Sequence, residues 1–136
     1  MKNISKSQLK YLMAVADSAS NPTVTVLANY LNCSKPSVVR GLQKLAAREL
    51  VNYDQAITLT KQGLRYVENI KKTDQILYHF LVNVLSVDAK HARQEVENIR
   101  HAVSCETLQS LTEFLRQNLA EVDLQYCDAN CNKCQF

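Results

Sequence analysis

The 136-residue chain has only two glycines and two prolines, the residues most typical of turns. Strands and tight turns use both residues, so their scarcity favours a mainly helical protein. A glycine-rich loop that binds a phosphate group needs several glycines close together. Two glycines in the whole chain nearly exclude such a loop. No pairing of a nucleophile with a base is visible in the sequence either. We therefore expect a protein that is not an enzyme.

Long apolar runs are missing as well. No segment approaches the roughly 18 apolar residues of a membrane span, and the start MKNISKSQLK lacks the apolar stretch of a signal peptide. We therefore expect a cytoplasmic protein with no membrane partner. In a reducing compartment, its five cysteines are more often thiols or metal ligands than disulfides.

The charge is unevenly distributed along the chain. Up to residue 72 there are 11 Lys and Arg against 4 Asp and Glu, and from residue 73 onward there are 5 against 9. The two parts carry +7 and −4, in agreement with the net charge of +3. The basic part suits a polyanionic partner, and the acidic part suits a metal or a partner protein. The asymmetry favours two modules.

The first 49 residues carry the pattern of three helices. The segment SKSQLKYLMAVADSAS predicts the first helix, and residues 25–31 predict a second one with Val26 on its inward face. Asn32 and Cys33 then form a tight turn, and residues 35–49 predict a longer third helix. A short helix, a tight turn and a longer helix describe a helix-turn-helix.

A short strand pair is expected directly after this motif. In LVNYDQAITLT, apolar residues alternate with polar ones on both sides of Asp54 and Gln55, which predicts a hairpin like the wing of a winged helix. Thr60 then begins a long helix with a bend near residues 71–73. Two more helices follow, the first opened by Ser86 and Asp88 and the second capped by Ser104.

The N-terminal residues of the second helix of a helix-turn-helix enter the major groove of DNA. Basic side chains there contact phosphates or guanine, and hydroxyl groups suit phosphate oxygens. Arg65, just beyond the wing, is a further candidate for the flanking backbone. An ordinary amphipathic helix with a solvated basic face, or a winged helix that binds protein, are the alternatives. The predicted DNA-binding residues are Ser34, Lys35, Pro36, Ser37, Arg40, Lys44 and Lys61.

At this point the chain resembles a known family. NCSKPSVVRGLQKLAARELVNYD and ITLTKQGLRYVENI resemble the DNA-binding domain of the metal-dependent repressors typified by the diphtheria toxin repressor and the manganese transport regulator. ILYHFLVNVLSVD and EVENIRHAVSCETLQSL resemble that family's dimerisation and metal-binding domain. The resemblance, over residues 5–120, implies a homodimer that binds a double-stranded DNA operator. It also implies Mn²⁺ or Fe²⁺ bound between the two domains.

The resemblance retains part of a ligand set. Asp74 aligns with a metal-binding position in the long helix, and Glu97 and His101 align with a later pair. Spaced i and i+4, that pair is expected to share one helix face and grip one ion. A cluster of salt bridges and hydrogen bonds on the helix face is the alternative.

Three aligned positions depart from the family. Arg100 stands where manganese-type members place a carboxylate, and Gln8 and Tyr11 stand where the first helix supplies carboxylates. A guanidinium cannot ligate a metal. We expect Arg100, beside Glu97, to form an ion pair that takes over the role of the metal.

The end of the chain, CDANCNKCQF, holds Cys127, Cys131 and Cys134 in a C-x₃-C-x₂-C run. Such thiolates suit Zn²⁺, which we favour, or an iron–sulfur cluster. Cys105 is the natural candidate for a fourth ligand, and Asp128, His101 or a partner subunit are others. A thiol-redox switch and a tail without a role are the alternatives. The hypothesis is that metal sensing has changed from carboxylate to thiolate ligands.

The sequence thus predicts a mainly α protein: an N-terminal winged helix-turn-helix with a short β-hairpin wing, then an all-helical dimerisation domain. The expected divisions are residues 1–72, 73–122 and a cysteine-rich tail, 123–136. We predict a homodimeric, metal-responsive repressor using Zn, Fe, Mn or an Fe–S cluster. A metal-independent regulator or adaptor with a decayed sensor, or a thiol-redox regulator, are the alternatives.

Overall fold

The computed structural model describes residues 4–18 and 20–119. These residues form six α-helices, a two-stranded antiparallel hairpin and one π-helical turn. In chain order the elements are α1 (Lys6–Asp17), α2 (Val24–Leu31), α3 (Lys35–Ala46), β1 (Val51–Asn52), β2 (Thr58–Leu59), α4 (Lys61–His79), the π-helical turn (Phe80–Val84), α5 (Ala89–Ile99) and α6 (Cys105–Asn118). The mainly helical prediction and the hairpin are confirmed.

The described chain divides into two compact units. Among the described residues, the N-terminal unit ends at Glu68 and the C-terminal unit begins at Asn69. The division falls inside α4, slightly before the position expected from the charge pattern. In the described parts of both units, no helix is both long and apolar enough to cross a membrane.

A side-chain oxygen caps the first turn of every described α-helix. Such a cap satisfies a backbone N–H that has no partner within the helix. Ser5 and Gln8 form a reciprocal capping box at α1, in which the Ser5 N–H donates to the Gln8 Oε1 at 2.9 Å. The six capping residues are Ser5, Thr23, Ser34, Thr60, Asp88 and Ser104.

The core of the N-terminal unit is formed by leucines of α1, α2 and α3. The largest fully buried side chains among them are Leu12, Leu27, Leu42 and Leu45. The prediction that Val26 faces inward is wrong, because its side chain is 52% exposed. The buried stripe of α2 consists of Leu27, Ala28 and Leu31, and Val26 lies one helical step to its side.

The third helix is shorter than predicted. It ends at Ala46, and Glu49 adopts a left-handed backbone conformation with φ of 58°. The chain then reverses into the hairpin, where Val51 pairs with Leu59 and Asn52 with Thr58.

Thr60 joins the hairpin to α4. Its hydroxyl group donates to the Glu49 carbonyl oxygen at 2.5 Å and accepts from the Gly63 N–H at 3.0 Å. Its own N–H donates to the Leu50 carbonyl oxygen at 3.1 Å. A Cβ atom on Gly63 would overlap that same carbonyl oxygen. The missing side chain therefore lets α4 begin directly against the base of the wing.

The C-terminal unit has a separate core. It consists of Ile76, Leu77, Leu81, Ala92, Val96, Leu108 and Leu115. The expected bend near residues 71–73 does not interrupt α4, which continues as an α-helix to His79. The irregularity lies instead in the π-helical turn, where the Leu85 N–H donates to the Phe80 carbonyl oxygen at 3.2 Å.

Candidate nucleic-acid interface and aligned metal site

The turn between α2 and α3 is built as the sequence predicts. Asn32 ends α2 in the left-handed conformation, with φ of 50°. Ser34 then caps α3, accepting from the Ser37 N–H at 3.4 Å, and the two serine hydroxyl groups lie 2.8 Å apart. Pro36 sits in the first turn of α3, where its missing N–H costs no helical hydrogen bond.

The predicted DNA-binding side chains are at the surface. Six of the seven are exposed and Ser37 is half-buried. Arg40 donates from Nε to the Pro36 carbonyl oxygen at 3.4 Å, which holds its guanidinium over the first turn of α3. Lys61 begins α4 directly after the wing, with Arg65 one turn later. The exposed cations therefore include residues of both α3 and the start of α4.

A groove of about 530 Å³ runs between α3 and the start of α1. It brings together three of the predicted DNA-binding residues, Ser37, Arg40 and Lys44, and side chains from α1. The sequence did not indicate that α1 contributes to the DNA-binding surface. The lining residues of the groove are Ser5, Ser7, Gln8, Tyr11, Ser37, Arg40, Gly41 and Lys44. Gly41 was an available signal, because a glycine inside a helical pattern often marks close packing.

Tyr11 is the side chain that packs against Gly41. A Cβ atom on Gly41 would lie 2.5 Å from the Tyr11 Cδ2. Burial raises the pKa of the Tyr11 phenol, and so does its hydrogen bond with Cys33. The phenol therefore stays protonated at neutral pH and is a poor metal ligand.

Gln8 is also engaged. Its side-chain oxygen accepts from the Ser5 N–H in the capping box. Both positions of α1 that align with the family's carboxylates thus have local roles within the N-terminal unit.

In the C-terminal unit, Arg100 forms an ion pair with Asp74. The Arg100 Nη2 lies 3.2 Å from the Asp74 Oδ2, and the side chains are 10% and 28% exposed respectively. The expected ion pair of Arg100 is therefore present, but its partner is Asp74 of α4. Sequence proximity favoured Glu97, which lies one turn before Arg100 and is exposed.

Three polar atoms around this pair are buried without a hydrogen bond. They are Thr73 Oγ1, Asp74 Oδ1 and Arg100 Nε. Thr73, only 1% exposed, was missed by sequence reasoning. Its spacing from Ile70, Ile76 and Leu77 on α4 was the available signal, since these side chains share one helix face.

The pKa of Asp74 is raised from 3.8 to about 6. Burial is the main cause, because it disfavours the charged carboxylate. The Arg100 guanidinium opposes the shift, and the charge of Glu97 adds to it. At neutral pH the carboxylate is still mostly ionised, so the ion pair is intact.

Glu97 lies within α5, whereas His101 lies beyond its end. Helix α5 ends at Ile99, and His101 lies in the turn that follows, where the Ala102 N–H donates to the Ile99 carbonyl oxygen at 2.8 Å. Within residues 4–18 and 20–119, no three His, Cys, Asp or Glu side chains are grouped so as to hold a metal ion. The predicted set of Asp74, Glu97 and His101 is therefore not assembled as a metal site.

The cysteines are placed only in part. Cys105 is half-buried at the start of α6, and Cys33 is half-buried in the turn before α3. The predicted ligands Cys127, Cys131 and Cys134 lie outside the described residues.

Known proteins match most of the chain. Residues 60–120 match the family model of the iron dependent repressor, metal binding and dimerisation domain. An HTH-type transcriptional regulator of Methanocaldococcus jannaschii is 34% identical over 95 residues, which cover 68% of this chain and 76% of that protein. The chain belongs to the metal-dependent repressor family. Members of this family are transcriptional regulators and not enzymes, as the sequence predicted.

Other similar members are longer than this chain. The transcriptional regulator MntR of Salmonella typhimurium is 31% identical over 94 residues, which are 68% of this chain and 59% of MntR. The crystal structure of ScaR with bound Zn²⁺ has a TM-score of 0.69 at 27% identity, covering 83% of this chain and 54% of ScaR. The chain therefore spans between half and three-fifths of the length of these two regulators.

Proposed function

We propose that this protein is a cytoplasmic repressor that binds a double-stranded DNA operator as a homodimer. The observation that carries the proposal is the surface of α3, a helix capped by Ser34, along which Lys35, Arg40 and Lys44 are exposed. Directly beyond the wing, Lys61 adds a cation suited to the flanking phosphates. In a helix-turn-helix of this kind, residues of α3 read base edges and the flanking cations contact the backbone.

Arg40→Ala tests this interface. We expect operator affinity to fall by about 10-fold or more, because an arginine contact to a base is worth about 1–3 kcal/mol. Fluorescence anisotropy with a labelled operator, selected from random duplexes by the wild-type protein, measures the change. Lys90→Ala is the matched control, since Lys90 is exposed in the first turn of α5, in the other unit. Equal affinity of the Arg40 variant and the wild type would contradict the proposal.

Homodimerisation is proposed through the C-terminal unit. The match to a dimerisation domain supports it, and so do apolar side chains that this unit leaves exposed. Leu85 is 54% exposed and Phe114 is 43% exposed. The rings of Phe114 and Phe80 meet edge to face with centroids 6.4 Å apart, and Phe80 leads into the turn that carries Leu85. Exposed apolar side chains of this kind suit burial against a second copy of the chain.

Sedimentation equilibrium of the full chain tests the dimer. We expect the wild type to have twice the chain mass and the Phe114→Glu variant to dissociate into monomers, because a charge in an apolar interface is costly. Val26→Glu changes an exposed apolar residue of the N-terminal unit and should remain dimeric. A wild type that is monomeric at all concentrations would overturn this part of the proposal.

The family implies a divalent metal, but the aligned residues do not fit one. The Gln8 oxygen is used in a cap, the Tyr11 phenol stays protonated, and Arg100 places a cation on Asp74. We therefore propose that any metal response uses thiolates. The support is the run of Cys127, Cys131 and Cys134 in the sequence, with Cys105 as a fourth ligand. Thiolates favour Zn²⁺ or an iron–sulfur cluster.

Metal and sulfide analysis of anaerobically purified protein tests the thiolate proposal. We expect zinc, or iron with sulfide, in the wild type and its loss in the Cys127→Ser/Cys131→Ser/Cys134→Ser variant. Cys33→Ser is the control, because Cys33 belongs to the turn before α3. Metal-free wild type, or metal retained in the triple variant, would contradict it.

A further inference from the structure

We infer that Arg100 replaces a divalent metal at this site. Its guanidinium joins α5 to α4 and pairs with the Asp74 carboxylate that a metal would otherwise bind. The inference deepens the proposed function, since it concerns how this regulator does without metal at the aligned position. It rests on the Asp74–Arg100 contact, the burial of both side chains and the charges around them. Each of these lies within the C-terminal unit.

The position of Arg100 is suited to this role. It caps the C-terminus of α5, directly after Ile99, and its N–H donates to the Val96 carbonyl oxygen at 3.0 Å. A cation at the C-terminus of a helix is favoured by the helix dipole. The same side chain reaches α4 and lies 3.2 Å from the Asp74 carboxylate. One guanidinium therefore joins two helices that are separated in sequence by the π-helical turn.

Burial makes the pair sensitive to the loss of either partner. Arg100 is 10% exposed, and a buried ion whose partner is removed is strongly destabilising. The pair is also incompletely satisfied, because the Arg100 Nε and the Asp74 Oδ1 have no hydrogen bonds. A hydrophobic pair would not carry this cost. The pair therefore fits a role in fixing the arrangement of the helices better than a role in maximising stability.

The charged side chains that line the surrounding groove balance one another, and among them Arg100 is the cation paired with Asp74. The volume of the groove is about 410 Å³, and its lining includes Arg93, Asp74, Glu97 and Arg100. These are two cations and two anions. Removal of the Arg100 charge leaves Asp74 and Glu97 facing one remaining cation. Two carboxylates with an excess of negative charge favour a hard divalent ion such as Mn²⁺.

The structure therefore predicts an exchange between the guanidinium and Mn²⁺. Thermal unfolding is measured with and without MnCl₂ on three full-length chains: one that retains Arg100, one with Arg100→Ala and one with Arg100→Glu. Every chain also carries the three tail Cys→Ser changes, so that metal at the tail cannot contribute. We expect no Mn²⁺ response from the chain with Arg100. We expect Arg100→Ala to lower Tm by about 10 °C, with partial recovery on addition of Mn²⁺.

Arg100→Glu places a third carboxylate at the same point and should show the larger recovery. Arg93→Ala is the matched control, because it removes the groove's other arginine and leaves the Asp74 contact in place. Arg93→Ala should neither lower Tm as Arg100→Ala does nor show a rise in Tm with Mn²⁺. If Arg100→Ala does not fold, Arg100→Lys keeps the charge and should retain Tm without a Mn²⁺ response.

Two results would overturn the inference. One is a Tm of the Arg100-containing chain that rises with Mn²⁺ and no longer does so after Asp74→Asn, which would show that metal displaces the arginine. The other is Arg100→Ala with an unchanged Tm and no response. Operator binding by the same proteins is measured separately. A lack of operator binding would contradict the proposed function, but it would not bear on the exchange between the Arg100 guanidinium and Mn²⁺.

Discussion

At the scale of single residues, Asp74 links the ion pair to pH. Its carboxyl group has a pKa of about 6 in the folded chain against 3.8 for an unperturbed one. Between these values the folded state binds more protons than the unfolded state. The free energy of unfolding therefore falls as the pH rises from about 4 through 6. Burial is the cause, since the Arg100 charge acts in the opposite direction.

Asp74→Asn should remove this dependence. An amide does not titrate, so we expect the decline of about 2 kcal/mol between pH 4 and 7 to disappear. The slope is the diagnostic quantity, because a change in the overall stability of the variant shifts the free energy of unfolding at every pH alike. Urea unfolding at a series of pH values measures it. Asp54→Asn, in the exposed turn of the wing, should retain the wild-type slope, and an unchanged slope in Asp74→Asn would contradict the assignment.

At the scale of elements, the two glycines of the chain mark two close approaches. Gly41 lets the Tyr11 ring of α1 lie against α3, and Gly63 lets α4 begin at the carbonyl group of Leu50. The neighbour of Gly41 is a side chain that can turn aside. The neighbour of Gly63 is backbone, which cannot do so without moving the wing.

Gly63→Ala should therefore destabilise the chain more than Gly41→Ala. We expect Gly63→Ala to cost about 1–3 kcal/mol, as overpacking does. In Gly41→Ala the strain against the ring is partly offset, because alanine is favoured over glycine by about 1 kcal/mol inside a helix. Urea unfolding of both variants gives the comparison. Equal stabilities would show that the wing adjusts freely to α4.

The sequence predicted the elements well because their boundaries are local. Serine, threonine and aspartate caps and the left-handed Asn32 are all readable from a few neighbouring residues. The errors concern relations that are not local. Val26 alone does not reveal which stripe of α2 is buried. The partner of Arg100 lies 26 residues earlier in the chain, on another helix, and only the packing of α4 and α5 brings it near.

The surface exposure of the candidate DNA-binding residues was predictable from the sequence. The exposed cations follow from the helix-turn-helix pattern, whereas the groove between α1 and α3 requires knowledge of how the helices pack. On the metal side, the sequence treats Glu97 and His101 as one helical pair, whereas α5 ends at Ile99, before His101. A spacing of i and i+4 places side chains on one face only while the helix continues.

At the scale of the whole molecule, the charge asymmetry predicts a salt-dependent interaction with DNA. Each phosphate neutralised by Lys or Arg releases counterions, so the logarithm of the binding constant falls linearly with the logarithm of salt concentration. Lys61→Ala should make that slope shallower by about 1 unit and weaken specific and random duplexes alike. Anisotropy titrations over a salt series measure it. Lys90→Ala should leave the slope unchanged, and an unaltered slope for Lys61→Ala would remove Lys61 from the interface.

The six helix caps also have a consequence in time. Each one fixes where a helix starts through a side chain within three residues of the backbone group that it binds. Helical chains whose contacts are mostly local fold quickly, on the order of milliseconds or faster. A newly synthesised chain of this kind therefore spends little time with its apolar faces exposed to water. The time that it needs to reach its assembled state would be set by synthesis and assembly rather than by folding.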